Sequence, residues 1–540
     1  MPALWSAAQR VLEDASAAAV LSTALPRFLR HRLTFETSLA AQRNRLETRD
    51  SSWLALVRAA VYRYSRSPYL RLLRRAGCEL GDLERLVRQE GLEGTLRCLY
   101  RAGVYLTIEE FKGRRPVVRG SDRFQVNPRL LRNPRAAVHA FARSGGSRGP
   151  GMPVPIDLGF LREQSTNTCL IAHARGGAAW RKAHWMVPGG GAIIMVLTYA
   201  GFGGLPAAWF SQLELDAPTM PARYRWSARL VCLISRLVGR PIPRPRHVPI
   251  EDPAPILRWM VDVLRRGEVP WLQTLTSSAV RVCQEAAAAG IDLSGARFTV
   301  NGEPVTAARL AALHAVGAEG LTHYGSVETG GPLSLGCLAP RQPDDGHLIH
   351  DLHAFIQPDE AAVCRELSPR GLLITSLRTR APLVLLNVSL GDEAVLESRT
   401  CGCPLEGHGW QTHAHTIRSF EKLTAGGMSF LDVDAIRVLE ELLPARFGGG
   451  PGDYQLVEGE EDDGTTRLVL RVHPAVGVVN DEAVADAFLQ GLGRGEEAKH
   501  VMALYWRQVG LLRVERRPSV ATSTGKVLHL HRLPAATAGS

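Results

Sequence analysis

Apolar positions recur at helical spacing through the first 120 residues. In residues 53–57 and 69–73, leucine and aromatic side chains lie three and four positions apart among arginines, a spacing that places them on one face of a helix. The surrounding arginines fit the solvated faces of such helices; they include Arg71, Arg74, Arg75, Arg85 and Arg88. The pattern predicts a helical N-terminal region over residues 1–120.

Between residues 121 and 418, short apolar runs alternate with helical segments. We predict strands at 192–199, 296–300, 371–377 and 383–388, a helix at 307–318, and a helix-bearing unit at 271–289. This alternation is typical of an α/β domain. The run 192–199 lies in an uncharged stretch, 187–210, that is long enough to cross a bilayer. Its glycines and prolines favour a buried strand over a membrane span.

A different pattern begins after Arg418. We predict a helix at 433–443, strands at 454–457 and 467–472 around an acidic hairpin at 458–464, a helix at 480–492 and a strand at 510–515. These elements make a compact α+β unit. The predicted architecture is therefore α/β: a large N-terminal domain with its core at 121–418, and a small mobile α+β domain at 419–540. The hinge is expected at 419–427.

The composition narrows the class of ligand. The chain has 540 residues, 45% of them hydrophobic and 22% charged, with a net charge of +11. The cationic excess suits an anionic ligand such as a nucleotide. Neither a C2H2 zinc-finger spacing nor an RNP1 motif occurs, so we do not expect nucleic-acid binding. Nine cysteines without a secretory signal pattern indicate reduced thiols and a cytoplasmic setting.

A glycine-rich stretch is the first candidate for such a ligand. It consists of Ser144, Gly145, Gly146, Ser147, Arg148 and Gly149. Glycines let the backbone curl so that its N–H groups can surround an anion, and the hydroxyls and the guanidinium add donors. Taken alone, such a stretch is more often an exposed linker.

Four further motifs follow in order. They are Gly302-Glu303-Pro304, the run from Tyr324 and Gly325 to Glu328, Gly391-Asp392 followed by Arg418, and Gly525-Lys526. Together with the glycine-rich stretch, their order and spacing resemble the superfamily of adenylate-forming enzymes. Within it they are similar to the phenylacetate–CoA ligase-like branch, from about residue 65 to 533. Each motif is weak by itself.

The resemblance implies an enzyme that activates a small carboxylic acid with ATP as an acyl-adenylate and passes the acyl group to a thiol, most often coenzyme A. It also implies roles for individual residues. Residues 144–149 would cradle the phosphates, with Arg148 taking part in catalysis. Glu328 would hold Mg²⁺, Tyr324 and the 302–304 turn would sandwich adenine, and Asp392 would bind ribose. Arg418 would lie beside the hinge, and Lys526 would be the catalytic lysine that the small domain delivers.

Some residues depart from the family pattern. Arg148 and Val327 stand where hydroxyl side chains are usual, and Pro150 stands where a lysine is usual. Three alternatives therefore stay open. The chain could handle the nucleotide differently, it could use another acceptor (a carrier-protein thiol, an enzyme cysteine or an amine), or it could be a non-catalytic nucleotide-binding homologue. Structural roles also stay open: Glu328 in a first helical turn, Asp392 in a plain turn and Lys526 as an exposed lysine. The oligomeric state stays open as well.

Cysteine and histidine residues form a second constellation. Cys337, His347, Cys401 and Cys403 would suit structural Zn²⁺, and the phenylacetate–CoA ligase-like branch has such residues in this order. His350, His353 and His408 compete with His347 for the fourth ligand position. The alternative is a set of reduced core cysteines.

The acid itself is not fixed by the sequence. Its pocket should draw on residues 199–209 and 301–331. Tyr199, Phe202 and Trp209 favour an apolar or aromatic acid, although buried aromatic residues are more often core.

Overall fold

The structure is a computed structural model. It describes residues 2–143, 152–187, 189–216, 222–358, 364, 366–419, 423–425, 428–430, 432–460, 466–492, 512–522 and 525–532.

Helices follow one another through the N-terminal region. They are α1 (Pro2–Arg30), α2 (Phe35–Glu47), α3 (Arg49–Val57), α4 (Pro68–Arg75), α5 (Leu80–Arg101) and α6 (Ile108–Phe111), with a π-helical turn at Arg58–Tyr62. Thr34 begins α2 through a capping box with Thr37, because each side chain accepts the backbone N–H of the other. The helical spacing of residues 53–57 and 69–73 thus corresponds to α3 and α4.

A mixed sheet of twelve strands forms the centre of the described structure. Its strands are β5 (Arg181–Met186), β6 (Ala208–Ser211), β7 (Arg246–His247), β8 (Pro270–Leu275), β9 (Arg297–Asn301), β10 (Glu319–Ser326), β11 (Gly331–Gly336), β12 (Gly346–Leu348), β13 (His353–Ile356), β14 (Gly371–Ser376), β15 (Val388–Ser398) and β16 (Thr412–Ser419). The preceding hairpins are β1 (Val117–Arg119) with β2 (Asp122–Phe124) and β3 (Ala140–Arg143) with β4 (Pro153–Ile156). The spatial order is β7-β6-β5-β8-β9-β10-β11-β12-β16-β15-β14-β13.

The sheet is parallel from β7 to β10 and antiparallel beyond β10. The parallel half needs crossover connections, which helices supply. The helices of this region are α7 (Leu158–Ala174), α8 (Gly190–Gly201), α9 (Ala222–Leu237), α10 (Ala254–Arg265), α11 (Thr276–Ala288) and α12 (Ala307–His314). Strand β8 is buried along its whole length, as a parallel strand covered on both faces should be.

The last part of the chain has a core of its own. Its elements are α13 (Asp432–Arg437), a π-helical turn (Val438–Leu442), α14 (Leu443–Phe447), β19 (Tyr454–Glu460), β20 (Thr466–Val472), α15 (Asp481–Leu492), β21 (Leu512–Arg516) and β22 (Leu530–Arg532), with β17 (Leu423–Ala425) and β18 (Met428–Phe430) before them. Leu456, Leu470 and Phe488 are buried in a cluster drawn only from residues 435–530. Most of the predicted hinge 419–427 lies outside the described residues or without described side chains.

Two predicted strands are wrong. Residues 192–199 lie inside helix α8, and ten of the twelve residues in this helix are buried. Because a helix buried all round has no polar face, its sequence carries no helical period that would distinguish it from a buried strand. Among the described residues, no helix is both long and apolar enough to cross a membrane.

The second wrong strand is 383–388. The chain is irregular there, and β15 begins only at Val388. Asn387 adopts a positive φ of 50°, which ends an extended conformation. Its side-chain amide donates to the carbonyl oxygens of Leu96 (2.8 Å) and Val104 (3.1 Å), so the apolar run is tied to the region of α5 instead of pairing within the sheet.

Candidate active site

Two of the predicted nucleotide-binding motifs lie at the carboxyl ends of adjacent parallel strands, one directly after β9 and one in the last residues of β10. Asn301 at the end of β9 pairs in register with His323 of β10, so the turn after β9 and the end of β10 lie side by side. Ligands in open α/β sheets bind at this edge. Gly302 needs its positive φ of 78°, and a Cβ there would lie 2.9 Å from Leu275 Cδ2.

Tyr324 and Asp392 come together although 68 residues separate them. The Tyr324 hydroxyl donates to Asp392 Oδ2 at 2.9 Å. Burial raises the pKa of Tyr324 well above its usual range, and the charges of Asp392 and Glu328 raise it further. The phenol therefore stays protonated and offers an aromatic face beside a carboxylate.

Glu328 lies in the turn between β10 and β11, and it is 7% exposed. The Thr329 hydroxyl stabilises this turn by donating within it, with Ser326 O at 2.9 Å and Gly331 O at 2.8 Å. Val327, which stands where the resemblance predicts a hydroxyl residue, packs against the hydrophobic core. The turn thus presents one nearly buried carboxylate close to Tyr324.

Lys526 reaches the same edge of the sheet from the end of the chain. A Cβ at Gly302 would lie 3.4 Å from Lys526 Cε and 4.0 Å from its Nζ. The backbone around Lys526 forms a tight turn, in which the Thr522 N–H donates to Lys526 O at 2.8 Å and the Lys526 N–H donates to Thr522 Oγ1 at 3.1 Å. The lysine side chain therefore lies against the predicted adenine-binding turn.

The Glu303 side chain is fully buried and has four hydrogen bonds. Its Oε2 accepts from the Ser277 N–H at 2.7 Å and from Arg309 Nη1 at 3.1 Å. Its Oε1 accepts from the Ser277 hydroxyl at 2.9 Å and from the Val527 N–H at 2.6 Å. Because both of its oxygens are used inside the protein, the Glu303 side chain is not available to a nucleotide, contrary to a direct binding role for that side chain.

Arg309 links the Glu303 carboxylate to a second buried carboxylate, in the C-terminal part of the chain. Its Nε donates to Glu440 at 2.5 Å, and Glu440 also bonds His529 Nε2 at 2.6 Å and the Thr306 hydroxyl. Burial would raise the pKa of Glu440, but the charges of Arg309 and His529 lower it to about 2. No sequence motif indicates these residues, since single charged residues in amphipathic segments are typical of solvated faces.

Arg418 lies near the end of β16, and its Nη1 donates to Asp344 Oδ2 at 3.0 Å and to Ile417 O at 2.6 Å. Its predicted nucleotide contact stays a prediction. Ser144, Gly145, Gly146, Ser147, Arg148 and Gly149 lie outside the described residues. The flanking strands β3 and β4 pair antiparallel, with Arg143 opposite Pro153, and β3 packs against the first turn of α8: a Cβ at Gly190 would meet Ala142 Cα at 2.2 Å.

The aromatic residues that the sequence assigned to the acid pocket are well packed. Tyr199 and Trp209 are 3% and 1% exposed. Tyr199 contacts the rings of His184, Phe202 and Trp271, with centroids 5.1 to 5.8 Å apart. An apolar or aromatic acid stays a prediction.

The predicted metal ligands cluster in space. The His347 Nε2 lies 3.1 Å from Cys403 Sγ and 3.7 Å from Cys401 Sγ. With usual zinc bond lengths, the nitrogen–sulfur edge of a tetrahedron is about 3.5 Å. A hydrogen bond from Cys337 lowers the pKa of the Cys403 thiol against the effect of burial, and His347 lowers it further. The donor set therefore fits a zinc ion.

The second nitrogen of His347 is also engaged as a metal ligand requires. Its Nδ1 donates to Trp410 O at 2.5 Å, which leaves Nε2 directed at the thiols. Among the described residues, the four side chains whose ligand atoms all lie within 4.8 Å of one another are Cys337, His347, Cys401 and His413. Neither His350, His353 and His408 nor the predicted ligand Cys403 belongs to that set, although Cys403 lies beside His347.

His413 is the cluster residue that sequence reasoning missed. Strand pairing places it opposite His347, and the two rings lie 4.1 Å apart. Its Nδ1 bonds Asp345 at 2.8 Å, while its buried Nε2 has no partner among the described residues. The only signal in the sequence was a histidine ten residues after the CxC pair.

Two buried histidines give the protein a pH-dependent stability. His184 and His353 are both 0% exposed, and burial lowers their pKa values to about 3 and about 4. The unfolded chain binds these protons below about pH 6.5, and the folded chain does not. The free energy of unfolding is therefore not reduced by these histidines above pH 6.5, and it falls progressively as the pH decreases towards 4.

We expect each of these histidines to cost about 2 kcal/mol of unfolding free energy between pH 7.5 and 5.0. Urea unfolding at the two pH values measures the loss, and His184→Gln should reduce it. The matched control is His247→Gln, because His247 is exposed. Equal pH dependence in wild type and His184→Gln would contradict the prediction.

Comparisons with known proteins identify the fold. No family model matches this chain, and no curated protein matches its sequence. Solved structures match over most of its length. One is 2-hydroxyisobutyryl-CoA ligase in the postadenylation state with R3-HIB-AMP, at a TM-score of 0.51 and 15% identity, covering 90% of this chain and 88% of that chain. A second, the same ligase with 2-HIB-AMP, has a TM-score of 0.52, 14% identity and the same coverage.

The chain thus has the fold of an adenylate-forming ligase. The prediction of an α/β fold is confirmed.

Proposed function

We propose that this chain activates a carboxylic acid with ATP and Mg²⁺ as an acyl-adenylate and then transfers the acyl group to a thiol, with coenzyme A as the first acceptor to test. The observation that carries the proposal is the position of Lys526 against Gly302, at the carboxyl edge of the parallel strands. Few structural roles need an ammonium there, whereas a reaction that builds negative charge does.

In the first step a substrate carboxylate oxygen attacks the α-phosphorus of ATP, and the bond to pyrophosphate breaks. Lys526 would neutralise the carboxylate and α-phosphate oxygens, and Arg148 with residues 144–149 would hold the phosphates. Tyr324 and the 302–304 turn would bind adenine, and Asp392 the ribose. Glu328 supplies a carboxylate for Mg²⁺, which usually takes one or two from a protein.

In the second step a thiolate attacks the acyl carbon, the thioester bond forms, and AMP leaves with the bonding electrons. The small domain would first rotate about the 419–427 hinge and withdraw Lys526, which opens a path for the thiol. The similar 2-hydroxyisobutyryl-CoA ligase was solved in complex with 2-HIB-AMP, and an acyl-AMP bound to a CoA ligase agrees with this sequence of steps.

Pyrophosphate release over a panel of carboxylic acids tests the first step. Mass spectrometry of the products with and without coenzyme A tests the second. An acyl-AMP that accumulates without consuming coenzyme A would point to a carrier-protein, enzyme-cysteine or amine acceptor. Nucleotide binding without turnover of any acid would favour the non-catalytic homologue.

We further propose that the chain belongs to the phenylacetate–CoA ligase-like branch and holds one structural zinc. Cys337, Cys401, Cys403 and His347 would be the ligands, with His413 as a competitor of Cys403 for the fourth position. The buried Nε2 of His413, which has no partner in the described part of the chain, supports a metal at this position. When bound, zinc would cross-link the residue after β11, strand β12 and the loop before β16. Such a site stabilises the fold without taking part in the reaction.

Metal analysis of the purified protein should give one zinc per chain, and Cys401→Ser should lower that content and the melting temperature. Cys98→Ser is the matched control, because Cys98 is half-buried in α5 and outside the cluster. Less than one zinc per several chains in the wild type would end the proposal.

A further inference from the structure

The residue after the proposed catalytic lysine is attached to the core of the protein. The Val527 N–H donates to Glu303 Oε1 at 2.6 Å, and Val527 is 3% exposed. A bond from a neutral donor to a buried carboxylate is stronger than one between two neutral groups. The backbone is therefore held within one residue of Lys526.

The carboxylate that accepts this bond is itself fixed. Its Oε2 receives the Ser277 N–H and an Arg309 N–H. Ser277 stands in the first turn of α11, a helix of 13 residues, and free N–H groups at a helix start favour a negative charge. Glu303 thus has a defined position whether or not Val527 is bound to it.

Steric contacts also fix the position of the turn that carries Lys526, which we call the lysine turn. Gly525 has a φ of 80°, and a Cβ there would lie 2.2 Å from Gln212 Oε1 and 2.7 Å from Val187 Cγ2. Only a glycine fits this gap between the turn and the ends of β5 and β6. The Lys526 side chain then extends over Gly302, the neighbour of Glu303.

We infer that Glu303 is a positioning residue for Lys526: its carboxylate holds the Val527 amide and thereby sets where the lysine ammonium lies during adenylation. The inference rests on the proposed function in assigning the chemistry to Lys526. One turn, Gly302-Glu303, supports the lysine at two points, the side chain on Gly302 and the backbone on Glu303. A reacting group displaced by about 1 Å can lose roughly 100-fold in rate.

The junction is also built to open. When the lysine turn leaves, Glu303 loses one of its four hydrogen bonds and keeps those from Ser277 and Arg309. The movement also separates Arg309 from Glu440, but Arg309 keeps Glu303 as a partner and Glu440 keeps His529, so neither is left as a lone buried charge, which would be strongly unfavourable. Glu303 therefore fixes the lysine for the first step without preventing the small domain from moving before the second.

Glu303→Gln tests the inference, because the amide is nearly the same shape but has one acceptor atom instead of two. Its oxygen is needed opposite Ser277 N–H and Arg309, which are donors only. Its NH₂ group then faces the Val527 N–H, so that bond is lost first. Glu319→Gln is the matched control, because the Glu319 side chain is 62% exposed.

Hydrogen exchange, measured by mass spectrometry, should show the Val527 amide exchanging at least about tenfold faster in Glu303→Gln than in wild type or Glu319→Gln. Acid-dependent pyrophosphate release should fall roughly 10- to 100-fold, with ATP Kd nearly unchanged. Acyl transfer to coenzyme A from synthetic acyl-AMP of the same acid should be unaffected. In a Lys526→Ala background, Glu303→Gln should cause no further loss of adenylation.

Unchanged exchange at Val527, or an equal fall in both half-reactions, would overturn the inference. If Glu303→Gln does not fold, Val527→Pro removes the amide donor while leaving Glu303 intact, although proline also restricts the backbone of Lys526 before it. Val527→Ala is its control, and equal adenylation by these two variants would overturn the inference as well. If the wild type activates no acid, the proposed function fails, while the exchange data still decide whether Glu303 holds the lysine turn.

Discussion

Lys526→Ala is expected to lower acid-dependent adenylation by about 10²- to 10³-fold while ATP binding stays measurable. The ammonium lies against Gly302, where it would meet negative charge that develops between the carboxylate and the α-phosphate. Removing one preorganised donor to such charge costs a factor of this size. Binding of ATP should persist, because the predicted adenine and ribose contacts come from other residues.

Pyrophosphate release measures the rate, and calorimetry with ATP measures the affinity. Lys112→Ala is a suitable control, because Lys112 lies at the end of α6 and belongs to none of the predicted motifs. Lys526→Arg retains the charge and should recover part of the rate. Unchanged turnover in Lys526→Ala would remove this lysine from the mechanism.

Arg309→Met is expected to lower the free energy of unfolding by about 3–5 kcal/mol. The Arg309 side chain is 2% exposed and pairs with both Glu303 and Glu440, which are at most 1% exposed. Methionine fills similar space but leaves two buried carboxylates without their shared cation. The pair should then repel each other or take up protons.

Thermal and urea unfolding measure the loss, and hydrogen exchange in α14 and β22 locates it. Arg297→Met is the matched control. The partner of Arg297, Glu319, is 62% exposed, and exposed pairs contribute at most about 1 kcal/mol. Adding Glu440→Gln to Arg309→Met should restore part of the stability. A loss below about 1 kcal/mol in Arg309→Met would show that the carboxylates do not depend on it.

The sequence predicted elements best where the hydrophobic periodicity agreed with turn-forming residues at the ends of the element. The strand at 296–300 corresponds to β9, and that at 371–377 to β14. The helix at 480–492 corresponds to α15. Helix α8 was missed because burial on all sides removes the polar face on which a period depends. The run 383–388 was misread because one residue, Asn387, turns the chain through a positive φ.

The candidate site was predictable only in part. Motif order indicated Tyr324, Asp392 and Lys526, but nothing local in the sequence places the Tyr324 hydroxyl on Asp392. Arg309 and Glu440 lie 131 residues apart, and no short-range pattern encodes such a pair. His413 joins the cysteine cluster through strand register with His347, which depends on the whole sheet.

The central claim is that this chain forms an acyl-adenylate. Exchange of labelled pyrophosphate into ATP, measured over a panel of carboxylic acids in the absence of any thiol, tests it most directly. We predict exchange that depends on one acid or a small group of acids and on Lys526, together with an acyl-AMP detected by mass spectrometry. Tight ATP binding with no exchange for any acid would contradict it.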